Sequence, residues 1–171
     1  ELKKGDTWKE IAKQKIIYPG WSAHFRINNW DGTKDHVYRL RHAEKATFEG
    51  KIRREPTDKE TIVVGNLSCN SSRTTGPRPL ILKNLIAQDP DVLFFAGDQT
   101  YHHTQHTSGW LEFGMQFRDI MRDRPTITIP DDHDIGQANL WGESGIQATN
   151  AAGPSGGYFY APEYVNMVQR Q

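Results

Sequence analysis

Short apolar runs alternate with longer amphipathic stretches over the second two thirds of the chain. The runs cover residues 61–65, 92–96 and 126–129, and Pro or Gly residues lie beside each of them. Runs this short, bounded in this way, are typical of buried strands in a parallel sheet. Because the stretches between them have helical spacing, the pattern predicts an α/β fold built as a β-α-β-α-β unit.

The two helices of this unit are predicted from start, stop and spacing signals. Pro79 suits the first turn of a helix, and Leu82, Leu85 and Ile86 form its predicted buried stripe. Pro125 ends the second helix. The apolar stripe of that second helix consists of Trp110, Phe113, Phe117, Ile120 and Met121.

The first 56 residues follow a different pattern. Residues 36–42 and 47–54 alternate apolar and polar positions, which indicates half-buried antiparallel strands. We interpret this part as the end of a small β-sandwich that stops near Pro56. Thr7 and Glu10 have the spacing of a capping box, so a short helix is predicted from Thr7 to about Lys15.

Composition restricts the partners and the architecture. The 171 residues include 21 basic and 21 acidic ones, so the formal net charge of zero gives no support for nucleic acid or an anionic membrane as the main partner. No apolar stretch approaches the ~20 residues of a membrane span. The single cysteine, Cys69, excludes an intrachain disulfide. Residues 163–171 resemble the first turns of a helix cut off in mid-run, so we expect a fragment of a longer protein. The start at Glu1 without Met leaves room for a leader that has been removed.

Candidate chemistry lies where the predicted strands end. Cys69, Asp98 and the block 131–134 follow the first, second and third strand. Neighbouring strands lie about 4.8 Å apart and ligands gather at their carboxyl ends, so we expect these groups to share one pocket. Thiol, carboxylate, phenol and imidazole groups together can bind transition metals. Asp98 follows the central strand and is placed to bridge two cations, which would activate a water molecule for in-line attack on phosphorus.

Each candidate residue also has a purely structural interpretation. Taken alone, Asp98 would be a turn or helix-capping carboxylate. Cys69 would be a buried structural thiol, and Tyr101 a core aromatic with a bonded hydroxyl. The imidazoles after the second strand are expected to be solvated in a loop, with pocket lining as the second interpretation; they are His102, His103 and His106.

The acidic block after the third strand favours function over structure. Asp131, Asp132, His133 and Asp134 are consecutive. The carboxylates among them repel one another unless cations or hydrogen-bond donors offset their charges. The Gly-rich residues 142–157 are predicted to form a long loop over the strand ends.

These segments resemble a known family. Residues 89–101 and 125–134 resemble the PhoD-like alkaline phosphatases, of the calcineurin-type metallophosphoesterase superfamily, and residues 65–70 are similar to that family's Ser-Cys-Gln element. The stretch before Pro56 resembles its N-terminal immunoglobulin-like domain. The resemblance implies that residues 57–171 form half of a four-layer metallophosphoesterase sandwich, and that residues 1–56 end the preceding β-domain.

The resemblance also implies a metal site. The implied metal ligands are Cys69, Asp98, Tyr101, Asp132 and Asn139. Cys69, Asp98 and Tyr101 would bind an iron-like metal, while Asp98 would bridge to a calcium site that Asp132 completes with help from Asn139. Two or more metal ions are therefore expected, iron and calcium in the family, with other divalent ions as alternatives. His133 matches the histidine that binds a phosphoryl oxygen or aids the leaving group.

The activity implied is metal-dependent hydrolysis of phosphate esters, of the alkaline phosphatase or phosphodiesterase type. The alternative is a catalytically incomplete binding or scaffold domain of the same fold. A phospho-receiver domain fits less well, because the acidic doublet follows the third strand rather than the first. The implied partners are a phosphate-ester substrate and a missing C-terminal half of the same protein, and the implied location is periplasmic or secreted. One sheet alone would expose apolar surface, so we expect these 171 residues to bind metal weakly and hydrolyse little.

Overall fold

The computed structural model of the chain contains two separate sheets and three helices within the part of the chain it describes. The described residues are 1–71, 76, 78–136, 140, 146–148 and 157–171. No helix among them is both long enough and apolar enough to cross a membrane.

The first sheet is antiparallel and has four strands. They are β1 (Leu2–Lys4), β2 (Thr7–Lys9), β3 (His36–His42) and β4 (Ala46–Ile52), in the order β2-β1-β3-β4. β3 and β4 pair along their whole length, which confirms the antiparallel strands predicted from the alternating pattern.

The predicted helix from Thr7 to Lys15 is wrong. Thr7 begins β2, and residues 10–16 have no regular secondary structure. The Thr7 hydroxyl donates to the Lys4 carbonyl oxygen at 3.0 Å, and Gly5 turns the chain with a φ of 57°. The threonine therefore closes a tight hairpin instead of capping a helix. The Gly5–Asp6 pair is a hairpin signal that the capping-box interpretation overlooked.

The second sheet is parallel, as predicted. Its strands are β5 (Val64–Leu67), β6 (Val92–Ala96) and β7 (Thr126–Ile129), with β6 in the centre. β5 begins three residues later than the predicted strand, because the Val63 amide donates to the Asp91 carboxylate at 3.0 Å rather than to β6. Residues 66 and 67 consequently belong to the strand and not to the loop after it.

Both crossover helices pack on one face of this sheet. α1 (Arg78–Ala87) connects β5 to β6, and α2 (His106–Met121) connects β6 to β7. The buried core consists of Leu93, Phe95, Phe113, Phe117 and Ile120, with Leu82 and Leu85 of α1 against it. Strand order β5-β6-β7 with both helices on one face is the arrangement that right-handed crossovers produce.

Two expectations about these helices are wrong. Ile86 is 40% exposed and lies outside the core, since α1 is short and only its Leu82–Leu85 side faces the sheet. His106 belongs to α2 rather than to a solvated loop, and its side chain is buried. The opposite face of the parallel sheet leaves Val64, Ile127 and Ile129 exposed, as expected for a single sheet.

A third helix completes the described chain. α3 (Pro162–Arg170) coincides with the helical segment that was predicted over residues 163–171. Its Met167 and Val168 pack with Ile135, just after the acidic block, and form a second small core. α3 therefore supports the loop that follows β7.

Candidate metal centre

Unusual backbone geometry brings the ends of β5 and β6 together. Cys69, Gly97 and Asp98 all have positive φ angles, of 56°, 90° and 57°. Beyond the ladder, the Cys69 amide donates to the Gly97 carbonyl oxygen at 3.2 Å, and the Asn70 amide to the Asp98 carbonyl oxygen at 2.8 Å. A Cβ atom at position 97 would lie 2.4 Å from Cβ of Asp131, so only glycine allows β7's loop to approach this closely.

Asp98 is at the centre of the site. It is 6% exposed, and its Oδ2 atom accepts a hydrogen bond from the Tyr101 hydroxyl at 2.9 Å and a weak one from the Cys69 thiol at 3.6 Å. Its Oδ1 atom is buried and has no hydrogen-bond partner among the described residues. A buried carboxylate oxygen without a donor is costly, and a cation is one means of satisfying it.

The end of β7 adds two further ligand types beside Asp98. One donor atom each from Asp98, Asp132 and His133 lies within 4.8 Å of the others. The Tyr101 ring contacts the His133 ring at a centroid distance of 4.0 Å. The predicted convergence of strand ends is therefore present as geometry. Cys69 is not the buried structural thiol of the alternative interpretation, because it is exposed at the rim of this cluster.

The Tyr101 phenol is a neutral donor in this arrangement. Burial raises its pKa far above the ordinary value, and the hydrogen bond to Asp98 raises it further. The hydroxyl consequently keeps its proton and donates a hydrogen bond to the Asp98 carboxylate. A phenolate ligand would require a cation that lowers this pKa, as bound metals do for coordinating acids.

Asp134 holds the loops after β6 and β7 together. It is 1% exposed, and its two oxygens accept the Thr100 amide at 3.0 Å and the Asp131 amide at 3.1 Å. Burial raises the pKa of Asp134 to about 6, although these backbone donors act in the opposite direction. Donors thus answer part of the charge in the acidic block, and the Asp132 amide likewise donates to Asp131 at 2.8 Å.

Gln99 forms a second connection, which no sequence pattern predicted. It is buried, and its Nε2 atom donates to the carbonyl oxygens of Phe95 and Ile129, both at 3.1 Å. The side chain therefore joins the penultimate residue of β6 to the last residue of β7. Because glutamine is common in surface loops, nothing in its position after Asp98 distinguished it as a buried cross-link.

The histidines after β6 have three different environments. The His102 ring forms a hydrogen bond with Glu112 at 3.1 Å and is partly exposed, close to the solvated interpretation. His103 places Nε2 2.6 Å from Nδ1 of His133, so it lines the site as the second interpretation held. The His106 ring is buried in α2 and stacks against Trp110 at a centroid distance of 6.0 Å. Asn139, the remaining implied ligand, lies outside the described residues.

Asn70 connects the site to α1 and α2. Its amide nitrogen donates to the Gln99 carbonyl oxygen at 3.2 Å and to Gln116 Oε1 at 2.9 Å. Its side-chain oxygen accepts a hydrogen bond from the Arg78 guanidinium, which also donates to the Ser71 carbonyl oxygen. A cationic residue at the start of α1 is therefore fixed beside the end of β5.

The described residues fit a cation. They combine the unpartnered Asp98 oxygen with a second carboxylate and an imidazole within 4.8 Å, and a thiol and a phenol contact the same Asp98. Oxygen, nitrogen and sulfur donors in one cluster suit a transition metal, and a carboxylate with two usable oxygens suits a bridge.

No family model matches the chain, and no curated protein matches it. Among solved structures, the chain is similar to purple acid phosphatase PPD1 from seeds of yellow lupin (Lupinus luteus), with 20% identity and a TM-score of 0.49. The alignment covers 76% of this chain and 26% of that chain, so this chain spans about a quarter of that protein's length. A likeness at this level assigns neither a fold family nor an activity.

Proposed function

We propose that this chain carries the metal-binding strand ends of a metal-dependent phosphoester hydrolase. The observation that carries the proposal is the cluster of Asp98, Asp132 and His133 within 4.8 Å, in which the buried Asp98 Oδ1 has no donor from the part of the chain that the structure describes. Carboxylates that face one another across a short distance repel unless a positive charge lies between them. The two carboxylates therefore favour a bound cation. The imidazole beside them can bind an anionic substrate at the same place.

The proposal assigns the ligands as the family resemblance suggests. Cys69, Asp98 and Tyr101 would hold an iron-like cation, and Asp98 with Asp132 and Asn139 would hold a second one, calcium in the simplest case. When bound, such a pair lowers the pKa of a water molecule and offsets the charge of a phosphoryl group. The Cys69 and Tyr101 contacts to Asp98 support this assignment, because both groups already converge on one carboxylate.

The remaining residues orient the substrate and the loops. His133 is proposed to donate a hydrogen bond to a phosphoryl or leaving-group oxygen. Asp134 and Gln99 keep the β6 and β7 loops at a fixed separation, so that the ligands on both loops stay in register. Residues outside this cluster would exclude water and select the substrate.

We extend the proposal to the architecture. The parallel sheet with α1 and α2 would be one half of a four-layer sandwich, and the antiparallel strands before residue 56 would belong to a separate β-domain. The exposed apolar residues on the open sheet face support a second covering layer. A periplasmic or secreted location is proposed with the family resemblance.

Hydrolysis assays on three proteins test the function. Wild-type chain, Asp98→Asn and the surface control Asp119→Asn are supplied with iron and calcium salts, and release of phenolate from aryl phosphate mono- and diesters is followed. Asp119 is exposed on α2, so its replacement keeps the same change of charge away from the site. We expect slow cation-dependent release by wild type and Asp119→Asn, and a loss of about 100-fold or more in Asp98→Asn.

The same assay distinguishes the binding-domain alternative. A wild-type chain that binds cations but releases no product above the buffer rate would be a scaffold or binding domain and not a hydrolase. Release that does not depend on cations, or that survives in Asp98→Asn, would contradict the proposed centre.

A further inference from the structure

Two imidazoles meet edge to edge behind the candidate metal centre. The His103 Nε2 and His133 Nδ1 atoms lie 2.6 Å apart, with ring planes 26° from parallel and centroids 4.8 Å apart. Face-to-face stacked rings cannot bring two nitrogens this close, because van der Waals contact keeps stacked atoms farther apart. The contact is therefore a hydrogen bond, in which one nitrogen donates and the other accepts.

The backbone of His103 and the ring of His133 each have a further contact. The His103 carbonyl oxygen accepts a hydrogen bond from the Tyr164 hydroxyl of α3 at 3.3 Å, and Gly136 approaches the same oxygen so closely that a Cβ there would lie 3.0 Å from it. The His133 ring packs against the Tyr101 ring. The backbone that carries His103 is therefore tied to α3, and the ring of His133 packs beside a candidate ligand.

We propose that His103 is a positioning residue that donates Nε2–H to Nδ1 of His133 and thereby fixes His133 as its Nε2–H tautomer. A neutral imidazole has one donor and one acceptor nitrogen, so the nitrogen that accepts from His103 determines where the other proton lies. The Nε2–H of His133 then offers a donor to an anionic oxygen, so His133 serves the substrate, and the cations are left to the carboxylates, Cys69, Tyr101 and Asn139. The opposite polarity would present a lone pair to that oxygen, which repels it.

This inference rests on the proposed function for the direction of the hydrogen bond, but its test does not. The tautomer is a property of the apo chain and is measured without metal or substrate. Failure of the hydrolysis assay therefore leaves the tautomer result intact, and an unexpected tautomer leaves the metal cluster intact. The inference also separates His103 from His102, whose ring bonds Glu112 instead.

Ring ¹⁵N spectra of the metal-free wild-type chain at alkaline pH test the inference. Signals of His133 are assigned by their loss in His133→Asn, and the exposed His42 provides an internal reference for an unconstrained ring. We expect the ratio of the Nε2–H to the Nδ1–H tautomer to be roughly tenfold higher for His133 than for His42, because one well-formed hydrogen bond has about this effect. A ratio equal to that of His42, or a preference for Nδ1–H, would overturn the inference.

Two variants extend this test. In His103→Ala the tautomer ratio of His133 should return to that of His42, whereas His102→Ala, a matched loss of the neighbouring imidazole, should leave it unchanged. A loss that is equal in both variants would indicate a general disturbance of the loop and would contradict a specific role for His103. Because the wild-type ratio is decisive by itself, an unfolded variant does not remove the test.

Discussion

Positive φ angles at single residues determine how the three strand ends meet. Gly97 and Asp98 turn the chain sharply at the end of β6, and Cys69 does the same after β5. Such angles are costly for residues with a Cβ atom, by about 1–3 kcal/mol each. Strain at two candidate ligands, held by backbone hydrogen bonds between the loops, is a common feature of sites that have to place a side chain at one point.

Replacing Gly97 with alanine should be among the most damaging small substitutions in the chain. The new Cβ would lie 2.4 Å from Cβ of Asp131, and the φ of 90° strongly disfavours any residue but glycine. We expect the free energy of unfolding to fall by about 3 kcal/mol or more. Urea unfolding monitored by circular dichroism measures the change.

Gly114 provides the matched control for this substitution. It lies inside α2, and a Cβ there meets nothing within 4 Å. Gly114→Ala should stabilise the chain by about 0.5–1 kcal/mol, because alanine favours a helix. Equal stability of Gly97→Ala and wild type would show that the β6 and β7 loops do not approach each other as described.

At the scale of elements, α2 has two functions that its sequence pattern separates only in part. Phe113, Phe117 and Ile120 pack on the sheet, as the helical spacing predicted. The first turn instead faces α3: Thr107 approaches Met167, and the ring of His106 meets that of Tyr164 at 6.2 Å. Both ring nitrogens of His106 are buried without a partner among the described residues.

This burial makes the stability of the chain depend on pH through His106. Burial lowers the pKa of His106 from 6.5 to about 4, so the unfolded chain takes up the proton first as the pH falls. Wild type should lose about 3 kcal/mol of unfolding free energy between pH ~6.5 and ~4 through this group. His106→Phe should be less sensitive to acid by that amount, as urea titrations at several pH values would measure.

An exposed histidine serves as the control for this prediction. His42 lies on β3 in contact with solvent, so His42→Phe controls for replacing an imidazole by a phenyl ring away from α2. An identical pH dependence in wild type and His106→Phe would mean that His106 titrates as it does in the unfolded chain.

At the scale of the whole molecule, local signals predicted the elements better than the contacts between loops. Apolar runs located β6 and β7 correctly, and helical spacing located α2, because burial on a sheet requires a regular pattern. The capping-box signal at Thr7 failed, since the hairpin turn at Gly5 competes for the same hydroxyl. The residues around Thr7 are therefore compatible with a helix start or with a hairpin. In the structure they form the hairpin of β1 and β2, and β1 also pairs with β3.

The candidate site shows the same division. The order of strands and the acidic residues after them were enough to predict that Asp98 and the β7 block converge. The partners that fix this geometry were not predictable: His103 against His133, Gln99 across two strands, and the burial of Asp134. These contacts depend on loop conformations with positive φ angles, such as that of Asp98. Such conformations leave no periodic pattern in the sequence, so they could not be predicted from it.

Cation binding by the chain and by Asp98→Asn is the sharpest test of a metal centre at the strand ends. Metal content of the purified proteins is measured by elemental analysis, and calorimetric titration of iron and calcium into the metal-free proteins gives the affinities, with Asp119→Asn as the matched control. Because the Asp98 carboxylate contacts Cys69 and Tyr101 and lies within 4.8 Å of Asp132, we expect cation binding by wild type and Asp119→Asn that weakens about 100-fold or more in Asp98→Asn. Equal metal content and affinity in wild type and Asp98→Asn would contradict a centre at the strand ends.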